Sequence, residues 1–214
     1  MLQNQNGRSM IEMLGVLAII AVLTVAGIAG YTKAMAKIKV NKCIQQMTQI
    51  AQHTRIAFGS QRNYSGLGEG EDVPNVMFTA DLAPKEMLTL DSNGEYTKPY
   101  VFKNPFNGLV TMRYADQSIA GDNMAFIVRY EGLTKAGCIG LASADWSGAN
   151  GSGFVGLTIN QDMPADLLLS TCTPTPVNQR GTATYCTKRG PMPVAAATGG
   201  CINQHGNFVE FKFY

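Results

Sequence analysis

Two kinds of residue in this chain could do chemistry: one carboxylate inside an apolar run, and a set of five cysteines. Glu12 is the only charged residue between Met10 and Gly30. A carboxylate inside a membrane span costs on the order of 2.5 kcal/mol or more, and it usually has a partner and a function. Alternatively, Glu12 lies close enough to the start of the run to reach the lipid headgroups. We therefore treat Glu12 as a candidate for pairing with a cation.

The cysteines predict disulfides rather than a metal or redox site. None belongs to a C-x-x-C pair, which argues against a zinc ribbon or a thioredoxin-like site. Four lie after residue 130, an even set that indicates two bridges and an oxidising compartment. The spacing leaves the pairing open, because Cys201 could bond to Cys138 or to Cys186. The cysteines are Cys43, Cys138, Cys172, Cys186 and Cys201.

We find no set of residues typical of catalysis or of cofactor binding. The two histidines, His53 and His205, lack metal-ligand spacing, and no G-x-S-x-G sequence is present. The net charge is only +2, without a basic face that would suggest nucleic acid. One acidic group could bind calcium weakly, but it is more typical of a solvated turn: Glu69, Glu71 and Asp72. We expect no enzyme, cofactor, metal or nucleic acid.

The element that carries Glu12 is long enough to span a bilayer. Residues 10 to 30 form about 31 Å of helix at about 1.5 Å per residue, close to a hydrocarbon core of about 30 Å. A cleaved secretory signal would need a basic start and a shorter run, and residues 1–7 carry no charged side chain. A core helix is disfavoured, because a domain of this size cannot easily bury so many apolar residues.

Four lysines follow the span, and we interpret them as a collar that reaches anionic headgroups. Positive-inside counting would put this collar in the cytoplasm, whereas the cysteines put the body outside it. We give the cysteines more weight. The lysines are Lys33, Lys37, Lys39 and Lys42.

The helix is predicted to continue beyond the collar to Phe58, because apolar residues recur at spacings of three and four. Cys43 lies on this apolar stripe and is interpreted as a small buried thiol. Residues 59–107 are rich in turn formers and indicate an irregular connection, with a short helix within 83–90. Residues 147–153 are predicted to form a flexible loop, and residues 173–200 a surface excursion.

Three segments alternate apolar and polar residues and predict strands: 109–114, 124–130 and 208–214. They can form an antiparallel sheet whose apolar face covers the outer half of the long helix. Residues 133–142 predict a short helix that carries Cys138. Trp146, the only tryptophan, is more typical of a core than of a binding site. The predicted fold class is α+β, a long N-terminal helix packed on an antiparallel sheet.

Gly7, followed five positions later by Glu12 at the head of an apolar helix, resembles the type III signal of type IV pilins. The resemblance implies cleavage after Gly7 by a prepilin peptidase, and methylation of the new amino terminus at Arg8. The family usually has Phe or another apolar residue where this chain has Arg8. The implied organisation is a leader 1–7, a long helix 8–58 with its span at about 10–30, and a globular head 59–214.

The longer, type IVb-like pilins are the most similar subgroup. By that resemblance Cys138 would pair with Cys201, and Cys172 with Cys186. In the family the new amine pairs with the glutamate of a neighbouring subunit, so Glu12 would set the register between subunits.

The implied partners are other copies of the chain, the prepilin peptidase, the inner-membrane assembly platform and the membrane. The subunit would begin as a single-pass inner-membrane protein with a periplasmic head and end in an extracellular filament.

Two other functions are compatible with parts of this pattern. A minor pilin or a type II secretion pseudopilin would keep the same fold, although Glu12 and the five cysteines favour a repeating pilus subunit. A membrane-tethered periplasmic binding domain would show neither cleavage after Gly7 nor a polymer. No motif chooses among adhesion, motility, DNA uptake, conjugation and secretion.

Overall fold

The computed structural model describes residues 10–61, 63–115, 123–146, 153–160, 162, 186–188 (backbone only) and 191–214. The chain divides into two compact units, Met1–Ile38 and Lys39–Tyr214. Four α-helices are described: α1 (Met10–Phe58), α2 (Asp72–Thr79), α3 (Lys135–Ala142) and α4 (Val194–Gly200). Five strands are described: β1 (Val110–Ala115), β2 (Ala125–Leu133), β3 (Phe154–Ile159), β4 (Cys186–Lys188) and β5 (Asn207–Phe213).

The first unit contains the apolar part of α1. Within the described ranges, α1 is the one helix long and apolar enough to cross a membrane, and none of its most apolar window is buried in the chain. The large hydrophobic side chains from Met10 to Ile28 are each more than half exposed. This part of α1 therefore presents exposed apolar side chains along its length.

In the second unit, the remainder of α1 buries one stripe in the core. The stripe follows the predicted spacing of three and four residues, and it ends at Phe58, directly before Gly59. Its buried members include Val40, Cys43, Met47, Ile50, Ala51 and Thr54. The predicted packing of the long helix on the sheet is confirmed.

The second unit is built around a five-stranded antiparallel sheet in the order β1-β2-β5-β3-β4. Side chains from neighbouring strands meet in rows across it; Met112 lies opposite Val128, and Val128 lies opposite Phe211. All three belong to the core that includes the buried stripe of α1. The alternation in the three predicted strands therefore assigned the core-facing side chains correctly.

Two of the five strands, β3 and β4, were not predicted from the sequence. β3 has no alternation, and all six of its residues are buried, because both faces of the sheet are covered at that strand. β4 lies in the stretch predicted as a surface excursion, as does α4. The short helix predicted within 83–90 is a single 3₁₀ turn, Lys85–Met87.

The predicted irregular connection contains α2, a helix that was not predicted from the sequence. Pro74 obscures this helix in the sequence, but it lies in the first turn, where a missing N–H does no harm. Most of the predicted loop 147–153 and much of 173–200 lie outside the described residues.

Candidate functional site

Glu12 lies in the first turn of α1 as the structure describes it, and it is exposed. None of the ion pairs among the described residues includes Glu12. Gly7 and Arg8 lie outside the described residues, so cleavage and methylation stay predictions.

The apolar surface around Glu12 is large and continuous along the helix. Large hydrophobic side chains recur on it from Met10 to Ile28. Continuous exposed apolar surface of this kind marks contact with a membrane or with another protein. The segment therefore combines an exposed apolar surface with a single carboxylate that has no ion-pair partner among the described residues.

Two collar lysines contact other side chains of the second unit. Lys39 lies over the ring of Phe106, with its Nζ 5.6 Å from the ring centre. The Nζ of Lys42 lies 3.3 Å from Oε2 of Glu86, and Nε2 of Gln46 donates a 3.0 Å hydrogen bond to Oε1. That hydrogen bond, together with Lys42, holds the pKa of Glu86 below its ordinary value. The interpretation of all four lysines as headgroup contacts was therefore incomplete.

A disulfide joins Cys138 in α3 to Cys201 at the end of α4, with 5.9 Å between the Cα atoms. This is the pairing that the resemblance implies, and both residues are fully buried. Cys172 and the side chain of Cys186 lie outside the description, so their pairing stays a prediction.

Cys43 is a buried free thiol, as predicted. Burial raises its pKa to about 12, against a smaller opposite effect of the charge on Lys39. The reactive thiolate is therefore scarce at neutral pH, and the residue serves as a small core side chain.

An ion pair with a buried carboxylate, not predicted from the sequence, lies on the other face of the sheet. The alternation predicted for residues 208–214 puts Glu210 on the side opposite the apolar residues, and the structure shows that this carboxylate is fully buried. Glu210 accepts hydrogen bonds of 2.7 and 3.0 Å from Arg113, and Arg129 lies opposite it across the strands. A buried charge has to be paired, so these residues hold β1, β2 and β5 in one register. The sequence did contain an indication of this pair. Arg113, Arg129 and Glu210 each lie between two core-facing residues of a predicted strand, so charges of opposite sign share one face of the sheet.

The remaining candidates have structural contacts. Glu69 accepts a hydrogen bond from the hydroxyl of Tyr114. Within the described ranges, no three His, Cys, Asp or Glu side chains come together to hold a metal ion. Trp146 is buried and donates from Nε1 to the carbonyl of Leu141 at 3.0 Å, which confirms its place in the core. Nδ1 of His53 lies 2.9 Å from the carbonyl oxygen of Asp81.

Comparison with known proteins identifies the family. A family model described as PilS N terminal matches residues 36–191, which is more than half of the chain. The chain belongs to this family, and it is a type IV pilin. The match begins after the apolar segment that carries Glu12.

Two solved structures are similar to this chain. One is a type IV b pilin from Salmonella typhi, which is 14% identical in sequence and has a TM-score of 0.48. The match covers 77% of this chain and 93% of that chain. The other is TcpA, a type IV pilin from Vibrio cholerae El Tor biotype, with 17% identity, coverages of 79% and 98%, and a TM-score of 0.44. A search of curated proteins finds no match.

Proposed function

We propose that this pilin is the repeating subunit of a filament that polymerises through the apolar part of α1, with Glu12 setting the register between subunits. One observation carries the proposal: an exposed apolar helix bears a single carboxylate that forms no ion pair among the described residues. Packing against the same helix of other copies buries the apolar surface. The cation for Glu12 is the amino terminus of a neighbour.

That amine arises from cleavage after Gly7 by a prepilin peptidase, which leaves Arg8 as the first residue and the site of methylation. Two opposite charges 4 Å apart attract by about 4 kcal/mol at an effective dielectric constant of 20. A pairing shifted along the filament loses this attraction and leaves both charges uncompensated in an apolar core. Because Glu12 lies four positions after Arg8, neighbours are staggered by about one helical turn.

Small residues in the apolar segment support close helix packing. A Cβ on Gly15, Gly27 or Gly30 would meet nothing else in the described parts of the chain within 4 Å. The chain's own packing therefore gives no reason for glycine at these positions. Glycine lets the backbone of a second helix approach closely, which is how helices associate where water is absent.

Before assembly, the apolar segment at residues 10–30 anchors the subunit in the inner membrane, with the head 59–214 in the periplasm. The Cys138–Cys201 disulfide supports this side of the membrane, because such bonds form in the oxidising periplasm. The assembly platform then transfers the subunit into an extracellular filament. In the filament the apolar segment is covered by protein instead of lipid.

The test replaces Glu12 in the full chain within the producing cells. Sheared surface material is imaged, and the mass of its subunit is measured. We expect the native chain to form filaments whose subunit lacks residues 1–7. We expect Glu12→Ala to insert into the membrane but to form no filaments. Glu95→Ala, a change at an exposed loop carboxylate, is the control and should assemble normally. Abundant filaments from Glu12→Ala would refute the register role, and an intact amino terminus would refute processing.

A further inference from the structure

The part of α1 in the second unit carries a second stripe, which we call the amide strip: Gln45, Gln49, Gln52 and Ile56. All four side chains are exposed, and Ile56 is 79% exposed. Their spacings of four, three and four residues are those of a seam between packed helices. The strip is therefore patterned for helix contact, but no other part of the described chain covers it.

The amide strip copies the spacing of the buried stripe, displaced by two residues. The core residues Cys43, Met47, Ile50 and Thr54 have the same spacings of four, three and four. Two residues turn a helix by about 200°, so every member of the strip lies on the face opposite a core residue. α1 thus has two seams on opposite faces, and the head occupies one of them.

The chemistry of the strip differs from that of a solvated helix face. Exposed faces usually carry charged side chains, yet the strip has none from Gln45 to Ile56. The nearest charge along the same line is Lys42, one turn before Gln45, and it pairs with Glu86 at 3.3 Å. Among the described residues, none of its three glutamine side chains forms a hydrogen bond. A side-chain amide both donates and accepts, so a row of glutamines is complementary to a copy of itself.

We propose that the amide strip packs against α1 of a second copy in the filament, and that amide hydrogen bonds fix the axial register there. The inference rests on the proposed function, because polymerisation is what brings other copies to α1. Depletion of charge is typical of the centre of a protein interface, whereas a helix that lies on a lipid surface carries lysine and arginine. Polar side chains in a helix seam specify register at a cost in stability.

The test changes the charge of the strip in the full chain and measures filament yield in the producing cells. Gln45→Glu, Gln49→Glu and Gln52→Glu together keep the side-chain size and should leave membrane levels within about twofold of native. Filament yield should fall at least about tenfold, because the strips would bring carboxylates together in a water-poor contact. Ala57→Glu and Gln204→Glu, at exposed positions outside the strip, should assemble normally.

Two further arms test direct contact. The corresponding three Gln→Lys changes should also abolish assembly, and co-expression of the two triple variants should restore filaments because opposite charges then meet. In addition, a photoreactive side chain at position 49 of an otherwise native chain should crosslink within filaments to α1 of another copy. The same group at position 57 should not.

The outcomes separate this inference from the proposed function. Normal filament yield from the triple glutamate variant would overturn the inference alone, as would failure of the two triple variants to restore each other. A crosslink from position 49 to lipid, or to a part of the chain other than α1, would overturn it as well. If the native chain forms no filaments, the proposed function fails, and the inference fails with it.

Discussion

Removal of the Cys138–Cys201 disulfide should destabilise the head by an amount that follows from its loop length. The bridge joins residues 63 positions apart. In the chain-entropy model, a closed loop of that length stabilises the folded state by about 4 kcal/mol, by restricting the unfolded chain. Both cysteines are fully buried, so alanine is the better replacement, because serine would bury an unpaired hydroxyl. In the double alanine variant the equilibrium constant for unfolding should therefore be about a thousandfold larger than in the native chain.

The assay is thermal unfolding of the full chain in detergent, with and without a reductant. For a domain of this size, 4 kcal/mol corresponds to a fall in Tm of about 8–16 °C. The reductant should destabilise the native chain at least as much as the double substitution does. When the reductant is added to the double variant, any further fall in Tm measures the contribution of other disulfides in the chain. A fall in Tm below about 3 °C would show that the loop-closure argument does not apply here.

Two further changes test the core. Cys43 has its pKa raised to about 12 by burial, so it stabilises the fold fully below pH 9, and this contribution is lost as the pH rises from 9 towards 12. Between pH 8 and pH 10 the free energy of unfolding of the native chain should therefore fall by about 1 kcal/mol more than that of Cys43→Ala. An equal fall in the native chain and the variant would contradict a raised pKa at Cys43. The side chain of Asn104 is buried, donates to the carbonyl of Glu131 at 2.8 Å and accepts from two backbone N–H groups. Asn104→Ala should therefore lower the free energy of unfolding, measured by chemical denaturation, by about 3 kcal/mol. Exposed Asn93→Ala should cost less than about 0.5 kcal/mol, and a similar loss from both would argue against the buried network.

Local periodicity was enough for the outer half of α1 and for the three strands whose apolar and polar residues alternate. In α1 the spacing of three and four residues identified the buried stripe up to Phe58. In β5 the alternation identified Val209, Phe211 and Phe213 as core residues. The same alternation placed Glu210 opposite them correctly, but it could not show that this second face is buried too. Whether a polar residue meets water depends on what packs over it, and that is a long-range property.

Elements without a periodic signal required the tertiary structure. β3 is buried on both faces and reads as an ordinary apolar run, and α2 is hidden by Pro74 in its first turn. The choice among cysteine partners was equally non-local. Spacing left Cys201 open to two partners, and only the folded chain brings Cys138 to it.

The sequence by itself determined the apolar helix, its lone carboxylate Glu12, and which side of the outer half of α1 and of the three predicted strands turns to the core. These are properties of neighbouring residues, and hydrophobic periodicity reports them directly. Only the tertiary structure decided that Glu210 is a buried ion-pair partner, and that Lys42 pairs with Glu86. It also decided that the amide strip stays uncovered while the opposite face of α1 is filled. Burial is set jointly by segments far apart in the chain, so no local pattern can state it.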